Sequence, residues 1–373
     1  KELFGEEYGN PSSPYQTGRR ARDLLEESRH RLAELLGAKP SELIFTSGGS
    51  EGNNMVLRQL LFREDPGHLL VSSVEHPSVL ETAKWLTRKN NLSLGILPVD
   101  QSGKVLEASM EAAVQPETCF ISVMAANNET GTVQPFRELA RIARERQVPF
   151  HSDCVQYAGK CELDLESSGL NYATLTAHKL GGPKGIGLLY IREGSPFAPM
   201  ITGGGQERSL RAGTENVVMA CAFAECFEWF CSNRSELESR WLGLRKKLLD
   251  SLEDVEHCFV LGTPDESLPN TLNLGFEGIS AESLLICLDL DGIAVSSGSA
   301  CSSGAMEASH VLLAMGYSHE QAKSSLRISM GWNTSEEDIE ELSRQLIHHV
   351  KRLTPISGKS DSNIQIPEPV TEI

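Results

Sequence analysis

The sequence predicts an α/β protein with two domains, a large, mostly parallel sheet covered by helices and a smaller α+β domain. The first observation is an alternation of strand-like and helix-like segments from about residue 20 to residue 230, which is typical of a parallel sheet. The second is a change of pattern near residue 232, where a long amphipathic helix begins a different arrangement. A chain of 373 residues is also long enough for two domains.

These observations divide the chain into three parts. We assign residues 1–232 to the large domain and residues 233–353 to the small domain. The tail, residues 354–373, is rich in Pro, Ser and polar residues, and we predict that it is disordered.

The elements of the large domain can be placed one after another. A helix is predicted over residues 19–37, ending at Gly37, and a charged helix over residues 136–147. Short apolar runs predict strands at residues 42–47, 68–74, 119–126, 148–153 and 185–191. The small domain begins with a helix over residues 235–253 and ends with one over residues 335–353. Between them lie short segments at residues 271–276, 283–290, 294–304 and 325–330.

Composition limits the possible partners. The formal charge is −17, from 34 Lys and Arg against 51 Asp and Glu, which argues against nonspecific binding to nucleic acid or to anionic membranes. No apolar run reaches the roughly 18 residues of a membrane span, and the first residues are neither a signal peptide nor a transit sequence. We therefore expect a cytoplasmic protein. Because the chain begins with Lys rather than Met, we also expect that its true beginning is missing.

The nine cysteines indicate free thiols in a reducing compartment, since their number is odd and their spacing is not that of a small secreted scaffold. No CxxC pair exists. Cys221, Cys226 and Cys231 are five residues apart and do not share one face of a helix. We therefore expect no metal site.

Polar residues follow several of the predicted strands. The turn TSGGSEGNN (46–54) could hold a phosphate at a helix N-terminus, although any turn between a strand and a helix may carry Gly and Ser. His76 follows the next strand, and taken alone it would more often be structural. Asn128 and the pair Asp153 and Gln156 follow two others. Open α/β sheets bind ligands at this edge, so the coincidence is more informative than any single residue.

Asp153 and Lys179 point to one cofactor. Asp153 ends an apolar segment, and Lys179 stands behind a histidine and a hydroxyl residue, before a glycine-rich turn. Pyridoxal 5′-phosphate needs a lysine that forms a Schiff base with its aldehyde and an acid that keeps its pyridine nitrogen protonated. Lys184 is the rival lysine, but its place within the glycine turn favours a structural or phosphate-side role.

Together these motifs resemble the fold-type I, class V aminotransferase-like enzymes that use this cofactor, and within them the NifS/IscS-type cysteine desulfurases. The matching stretches run in the family's order over nearly the whole chain. They are GNPSS (9–13), TSGGSEGNN (46–54), VEHPSV (74–79), NNETGTVQP (127–135), HSDCVQ (151–156), AHKLGGPKGIG (177–187), GGGQERSLRAGTEN (203–216), SSGSACSSGAMEASHVL (296–312) and LRISMGWNTSEED (326–338).

The resemblance implies a role for each matching residue. Lys179 would be the Schiff-base lysine, His76 would stack on the pyridine ring and Asp153 would pair with the ring nitrogen. Asn128 and Gln156 would contact the ring hydroxyl side, with Asn128 also close to the substrate. Arg327 would bind the substrate carboxylate. The phosphate would be held by Gly49, Ser50, Thr176 and His178, with Thr214 reaching it from the second subunit of a homodimer.

Cys301 decides which reaction is expected. It lies in SSGSACSSG, among Ser and Gly, as a mobile exposed nucleophile would, although the residues alone favour an inert loop cysteine. With the resemblance, Cys301 becomes the thiol that takes sulfur from L-cysteine as a persulfide and leaves L-alanine. The length of its loop resembles the group I desulfurases.

Two alternatives remain open at this point. A selenocysteine lyase shares the fold and the site, and a catalytically weak sulfur-relay protein would fit a chain whose N-terminal segment is absent. The implied partner is a sulfur-acceptor protein such as an iron–sulfur scaffold.

Overall fold

The computed structural model describes residues 8–89, 91–297 and 307–354. Seven strands form a large sheet in the order β1-β7-β6-β5-β4-β2-β3. They are β1 (Leu43–Thr46), β2 (Gly67–Ser72), β3 (Leu92–Leu97), β4 (Thr118–Ser122), β5 (Phe150–Asp153), β6 (Tyr172–Thr176) and β7 (Gly187–Ile191). Strands β3, β2, β4, β5 and β6 pair in parallel, whereas β7 is antiparallel to both of its neighbours. The predicted mostly parallel sheet is confirmed.

The burial of the strands follows from their place in the sheet. Every residue of β2 and β6 is buried, as expected of central strands covered on both faces. The edge strand β3 is buried only at its two ends. The sequence prediction missed β3 and β6.

Five helices accompany these strands. They are α1 (Gln16–Leu35), α2 (Gly49–Leu57), α3 (Pro77–Lys89), α4 (Glu107–Ala113) and α5 (Phe136–Glu145). In α5 the buried residues Phe136, Leu139, Ala140 and Ala143 recur every three or four positions, which gives the helix one apolar face. No helix in the described ranges has the length and apolar character needed to span a membrane.

A 36-residue helix, α6 (Val217–Leu252), joins the two halves of the chain. It begins at the cap residue Asn216, whose side chain accepts the backbone N–H of Met219. Near its beginning, Glu225 forms an ion pair with Arg31 of α1. The predicted boundary after residue 232 therefore falls inside one continuous helix, and the division into domains stays a prediction.

The small sheet is antiparallel, in the order β10-β11-β9-β8. Its strands are β8 (Cys258–Val260), β9 (Thr271–Phe276), β10 (Ser296–Ser297) and β11 (Ser325–Ser329). The accompanying helices are α7 (Ala281–Leu290), α8 (His310–Ala314), α9 (His319–Lys323) and α10 (Glu336–Leu353). One continuous apolar core includes residues of both sheets, such as Phe150 of β5 and Leu326 of β11.

A close approach of two backbones shapes the turn that follows β1. A Cβ atom added at Gly187, the first residue of β7, would lie 2.7 Å from the Cα of Gly48. Only glycine at position 187 leaves room for the turn, and this contact fixes Gly48 and the start of α2 against the sheet.

Candidate active site

A cavity of about 410 Å³ lies at the carboxyl ends of the parallel strands. Ten of the twelve predicted site residues line it, namely Gly49, Ser50, His76, Asn128, Asp153, Gln156, Thr176, His178, Lys179 and Arg327. Most of them follow a strand of the large sheet, where the chain turns and backbone and side-chain polar groups converge. Arg327 comes from β11 of the small sheet and closes the cavity from the other side.

Asp153, the last residue of β5, is buried in a neutral hydrogen-bond network. Asn53 Nδ2 donates to Asp153 Oδ2 at 2.7 Å, and the N–H of Val155 donates to Oδ1 at 3.0 Å. Burial raises the pKa of Asp153, an effect opposed by these hydrogen bonds and by the nearby His76 and Lys179. A cation placed against this carboxylate would stabilise its charged form.

Lys179 lies on a short 3-10 helix over Ala177–Leu180, immediately after β6. Burial and the guanidinium of Arg327 lower its pKa, while Asp153 acts in the opposite direction. An amine that loses its proton readily is the form that can bond to a carbonyl carbon or accept a proton.

His76 is held in one tautomer. The backbone N–H of Ser78 donates to His76 Nδ1 at 3.1 Å, and Ser78 Oγ lies 2.8 Å from the same nitrogen. Because Nδ1 accepts the N–H of Ser78, the proton of the neutral ring is on Nε2, and burial lowers the pKa of His76. Asn53 Nδ2, which also contacts Asp153, lies 2.8 Å from Ser78 Oγ and links the two site residues.

Neutral donors gather at one end of the cavity. Gly49 and Ser50 begin α2, so the free backbone N–H groups of its first turn face this end. Thr176 Oγ1 lies 3.0 Å from His178 Nδ1 and donates to the carbonyl of Ile186, also at 3.0 Å. Burial lowers the pKa of His178. The backbone N–H groups of this turn and the hydroxyl of Ser50 suit an anion, and Thr176 and His178 line the same cavity.

The opposite end carries a cation. Arg327 Nη1 donates to the backbone carbonyl of Asn128 at 2.8 Å, which directs the guanidinium along the cavity wall. The neighbouring Glu129 is buried, and burial raises its pKa to about 7. A guanidinium beside an acid that is only partly ionised keeps most of its charge available for a carboxylate ligand.

Comparison with known proteins identifies the relatives of this chain. The family described as aminotransferase class-V matches residues 1–342. The chain belongs to this family. It is 38% identical over 359 residues to the cysteine desulfurase IscS of Methanosarcina thermophila, covering 95% of this chain and 89% of the relative. It is also 38% identical over 370 residues to the cysteine desulfurase NifS of Azotobacter vinelandii, covering 98% and 92%.

Solved structures agree with the family assignment. A structure described as a NifS-like protein superposes with a TM-score of 0.89 at 35% identity, covering 94% of each chain. Another, described as SspA in complex with cysteine, has a TM-score of 0.78 at 32% identity and covers 88% of this chain and 93% of the other. The predicted fold type and family are confirmed, and pyridoxal 5′-phosphate is the cofactor of this aminotransferase class-V protein.

The cavity of this class V protein fits that cofactor. It offers neutral anion donors at one end, a buried carboxylate at Asp153 and an amine of lowered pKa at Lys179. Asn53 Oδ1 is buried without a hydrogen-bond partner among the described residues, which indicates a polar site open to a ligand. A phosphate, a pyridinium nitrogen and an aldehyde match these three features.

One predicted residue lies outside the cavity wall, and a second lies outside the described residues. Thr214 is exposed, on the loop before α6, and does not line the cavity. Cys301 lies outside the described residues. Ser297, the last described residue before it, and His310, nine residues after it, do line the cavity.

Several residues of the site were missed from the sequence. Asn53 stands three residues after Ser50 in α2, so the period of a helix could have placed it on the cavity face. Glu75 and Lys160 are charged residues that the fold buries, and no periodic pattern in the sequence predicts their burial. His310 follows the cysteine loop, and its Nε2 lies 3.0 Å from the carbonyl of Glu75.

Proposed function

We propose that this chain is a cysteine desulfurase that converts L-cysteine to L-alanine and transfers the sulfur to Cys301 as a persulfide. Membership of the aminotransferase class-V family and near full-length similarity to desulfurases support the reaction class. The single observation that carries the proposal is the convergence of Asp153, Lys179 and Arg327 on one cavity from three separate elements.

The cofactor, when bound, supplies an aromatic ring that withdraws electrons from the substrate Cα. Asp153, held by Asn53 and Val155, would keep the ring nitrogen protonated. The neutral ring of His76 would lie against the ring face, with its tautomer set by Ser78. Gly49, Ser50, Thr176 and His178 would hold the phosphate.

Lys179 and Arg327 would act on the substrate. The lowered pKa of Lys179 supports a role for its Nζ as the base that removes the Cα proton. Arg327 would hold the carboxylate of L-cysteine by a charge-assisted pair. Asn128 would contact the cofactor and the substrate. It stands beside Arg327, which donates a hydrogen bond to the backbone carbonyl of Asn128.

Cys301 would receive the sulfur. Its thiolate would attack the sulfur of L-cysteine, forming an S–S bond as the bond between that sulfur and Cβ breaks. The electron pair of the broken bond stays with carbon, which is protonated to give L-alanine, so no external oxidant or reductant is required. Ser297 and His310, which stand on either side of Cys301 in the sequence and line the cavity, support this role.

The same proposal extends to partners. A homodimer would bring Thr214 of one subunit to the phosphate of the other, and the exposure of Thr214 outside its own cavity supports this. The persulfide would pass to an acceptor protein such as an iron–sulfur scaffold in the cytoplasm.

The test is desulfuration of L-cysteine by the cofactor-loaded protein. We expect sulfide and L-alanine in equal amounts under a thiol reductant, and the added mass of one sulfur atom on Cys301 without reductant. Cys301→Ser should keep the visible absorbance of the bound cofactor and lose persulfide formation, whereas Cys119→Ser should keep both. Full turnover by Cys301→Ser would contradict the assignment of the nucleophile.

A further inference from the structure

Lys160 is a buried lysine directly behind the cavity. It is 5% exposed and follows β5 by seven residues. Its Nζ donates to Gln156 Oε1 at 2.8 Å, and Gln156 lines the cavity. Lys160 itself does not line it.

The local backbone fixes this contact. The N–H groups of Tyr157 and Ala158 both donate to the carbonyl of Cys154, which winds this segment into a tight turn. Gly159, at a φ of 78°, lies within a second turn, in which the N–H groups of Lys160 and Cys161 donate to the carbonyl of Tyr157. These two successive turns bring Lys160 beside Gln156.

Within the described ranges, no carboxylate forms an ion pair with Lys160. Burial and the cations of Lys179 and Arg327 lower its pKa to about 7, against the opposing effect of Cys161. A buried ammonium group whose hydrogen bond goes to a neutral amide oxygen contributes little to the stability of the fold, because its charge has no opposite charge beside it. The phosphate and ring oxygen of the cofactor would bring negative charge nearby, which favours the protonated amine.

We propose that Lys160 is a positioning residue that orients the amide of Gln156 so that its Nε2 donates to the ring oxygen of the cofactor. An ammonium group has only donors, so it can contact only Oε1 of the amide, which leaves the Nε2 donor for the cavity. Without Lys160 the amide can also turn its oxygen toward the cavity, where it would face an anionic oxygen. This inference rests on the proposed function, since it takes the cofactor-side role of Gln156 as given.

The expected consequence is spectroscopic. A donor to the ring oxygen draws off negative charge, which lowers the pH at which the lysine-linked cofactor loses its proton and changes its visible absorbance. Asp153, His76, Lys179 and Arg327 also face this site, and the variants below leave them unchanged. Losing the donor should therefore raise the midpoint of the absorbance titration by about one pH unit.

The experiment compares the cofactor-loaded protein with Lys160→Met. We expect the midpoint to rise by about one pH unit, and the Kd of the apoprotein for pyridoxal 5′-phosphate to increase roughly tenfold. Lys246→Met removes the same charge from an exposed ion pair with Asp250 and should change neither value. A Lys160→Met midpoint equal to that of Lys246→Met would overturn the inference.

A double-mutant cycle tests whether Lys160 acts through Gln156. Gln156→Leu should raise the midpoint as much as Lys160→Met, and the double variant should add little to either. Additive shifts would mean that the lysine acts on its own, contrary to the inference. Gln156→Glu keeps an acceptor for Lys160 and removes the donor, so it should also raise the midpoint even if Lys160→Met does not fold. An unchanged midpoint in Gln156→Glu would likewise overturn it.

The wild-type protein separates this inference from the proposed function. If it neither develops a visible cofactor band nor releases sulfide from L-cysteine, the proposed function fails. If it does both and the variants show no shift, only the role of Lys160 fails.

Discussion

Two buried groups of charged residues in this protein are built in opposite ways. The first joins α1 to the loop before α6, where Arg29 Nη1 and Nη2 donate to the two carboxylate oxygens of Glu207 at 2.8 and 2.9 Å. Glu207 also accepts the N–H of Phe45 at 3.0 Å, and Arg29 Nη1 donates to the carbonyl of Leu43 at 2.9 Å. Each charge has an opposite charge and neutral partners.

The second group surrounds the cavity and consists of Glu75, Asp153, Lys160, Lys179 and Arg327. In the described part of the chain, none of the five forms an ion pair. Burial moves the pKa of each toward the neutral form. The difference teaches that charges neutralised within the protein hold its fold together, whereas buried charges around the cavity that have no ion-pair partner among the described residues are prepared for a charged ligand.

The largest effect is expected in the cavity group. Lys179→Ala removes the amine that would bond to the cofactor and move the Cα proton, so desulfuration should fall by about 10²–10⁴-fold or more and the visible cofactor band should be lost. Because burial disfavours the charge of Lys179, the apoprotein should unfold at the same temperature as wild type or higher. Sulfide release, absorbance and thermal unfolding measure the three quantities. If the Lys179→Ala apoprotein unfolded at a much lower temperature than wild type, Lys179 would stabilise the fold as the Arg29–Glu207 pair does, and the two groups would not differ in this way.

The Arg29–Glu207 pair should give the opposite result. Glu207→Gln leaves the buried guanidinium with only the partly exposed carboxylate of Glu26, and we expect a loss of about 3 kcal/mol in the free energy of unfolding. Turnover of the folded protein at low temperature should be retained. Urea denaturation measures the loss, and Glu193→Gln, at an exposed ion pair with Lys39, provides the control with no measurable change. If Glu207→Gln instead lost activity at unchanged stability, this pair would belong with the cavity group.

The same contrast explains what the sequence could predict. Residues at strand ends, such as Asp153 and Lys179, were predicted because an open sheet brings the ends of its parallel strands to one edge, and the resemblance gave each residue its role. The parallel sheet itself followed from the alternation of apolar runs and charged helices.

Other features depend on tertiary packing, which produces no periodic pattern in the sequence. Glu75 and Lys160 look like ordinary surface charges until the fold buries them. Helix α6 crosses the predicted domain boundary as one continuous helix, with Glu225 paired to Arg31 of α1 and Ser251 hydrogen-bonded to Ser343 of α10. The partners of Asn53 lie 25 and 100 residues away, and only the tertiary structure brings them together.

The smallest expected effect concerns Glu75 and the pH dependence of the free energy of unfolding. Ser72 Oγ and the N–H of Met124 both donate to Glu75 Oε1, while Oε2 is buried and has no partner in the part of the chain that the structure describes. Burial raises its pKa from 4.5 to about 8, so the folded protein keeps a proton that the unfolded chain releases above pH 4.5. Folding stability contributed by this group is therefore greatest at low pH and is lost as the pH rises to about 8.

Glu75→Gln replaces the protonated acid with a neutral side chain of the same shape. Between pH 6 and pH 8 we expect wild type to lose about 2 kcal/mol more stability than this variant, measured by urea denaturation of the apoprotein at both pH values. Glu64→Gln, at an exposed carboxyl, should follow wild type. Equal losses in wild type and Glu75→Gln would mean that Glu75 is ionised at neutral pH, and that this carboxylate has a cationic partner like the one that neutralises Glu207.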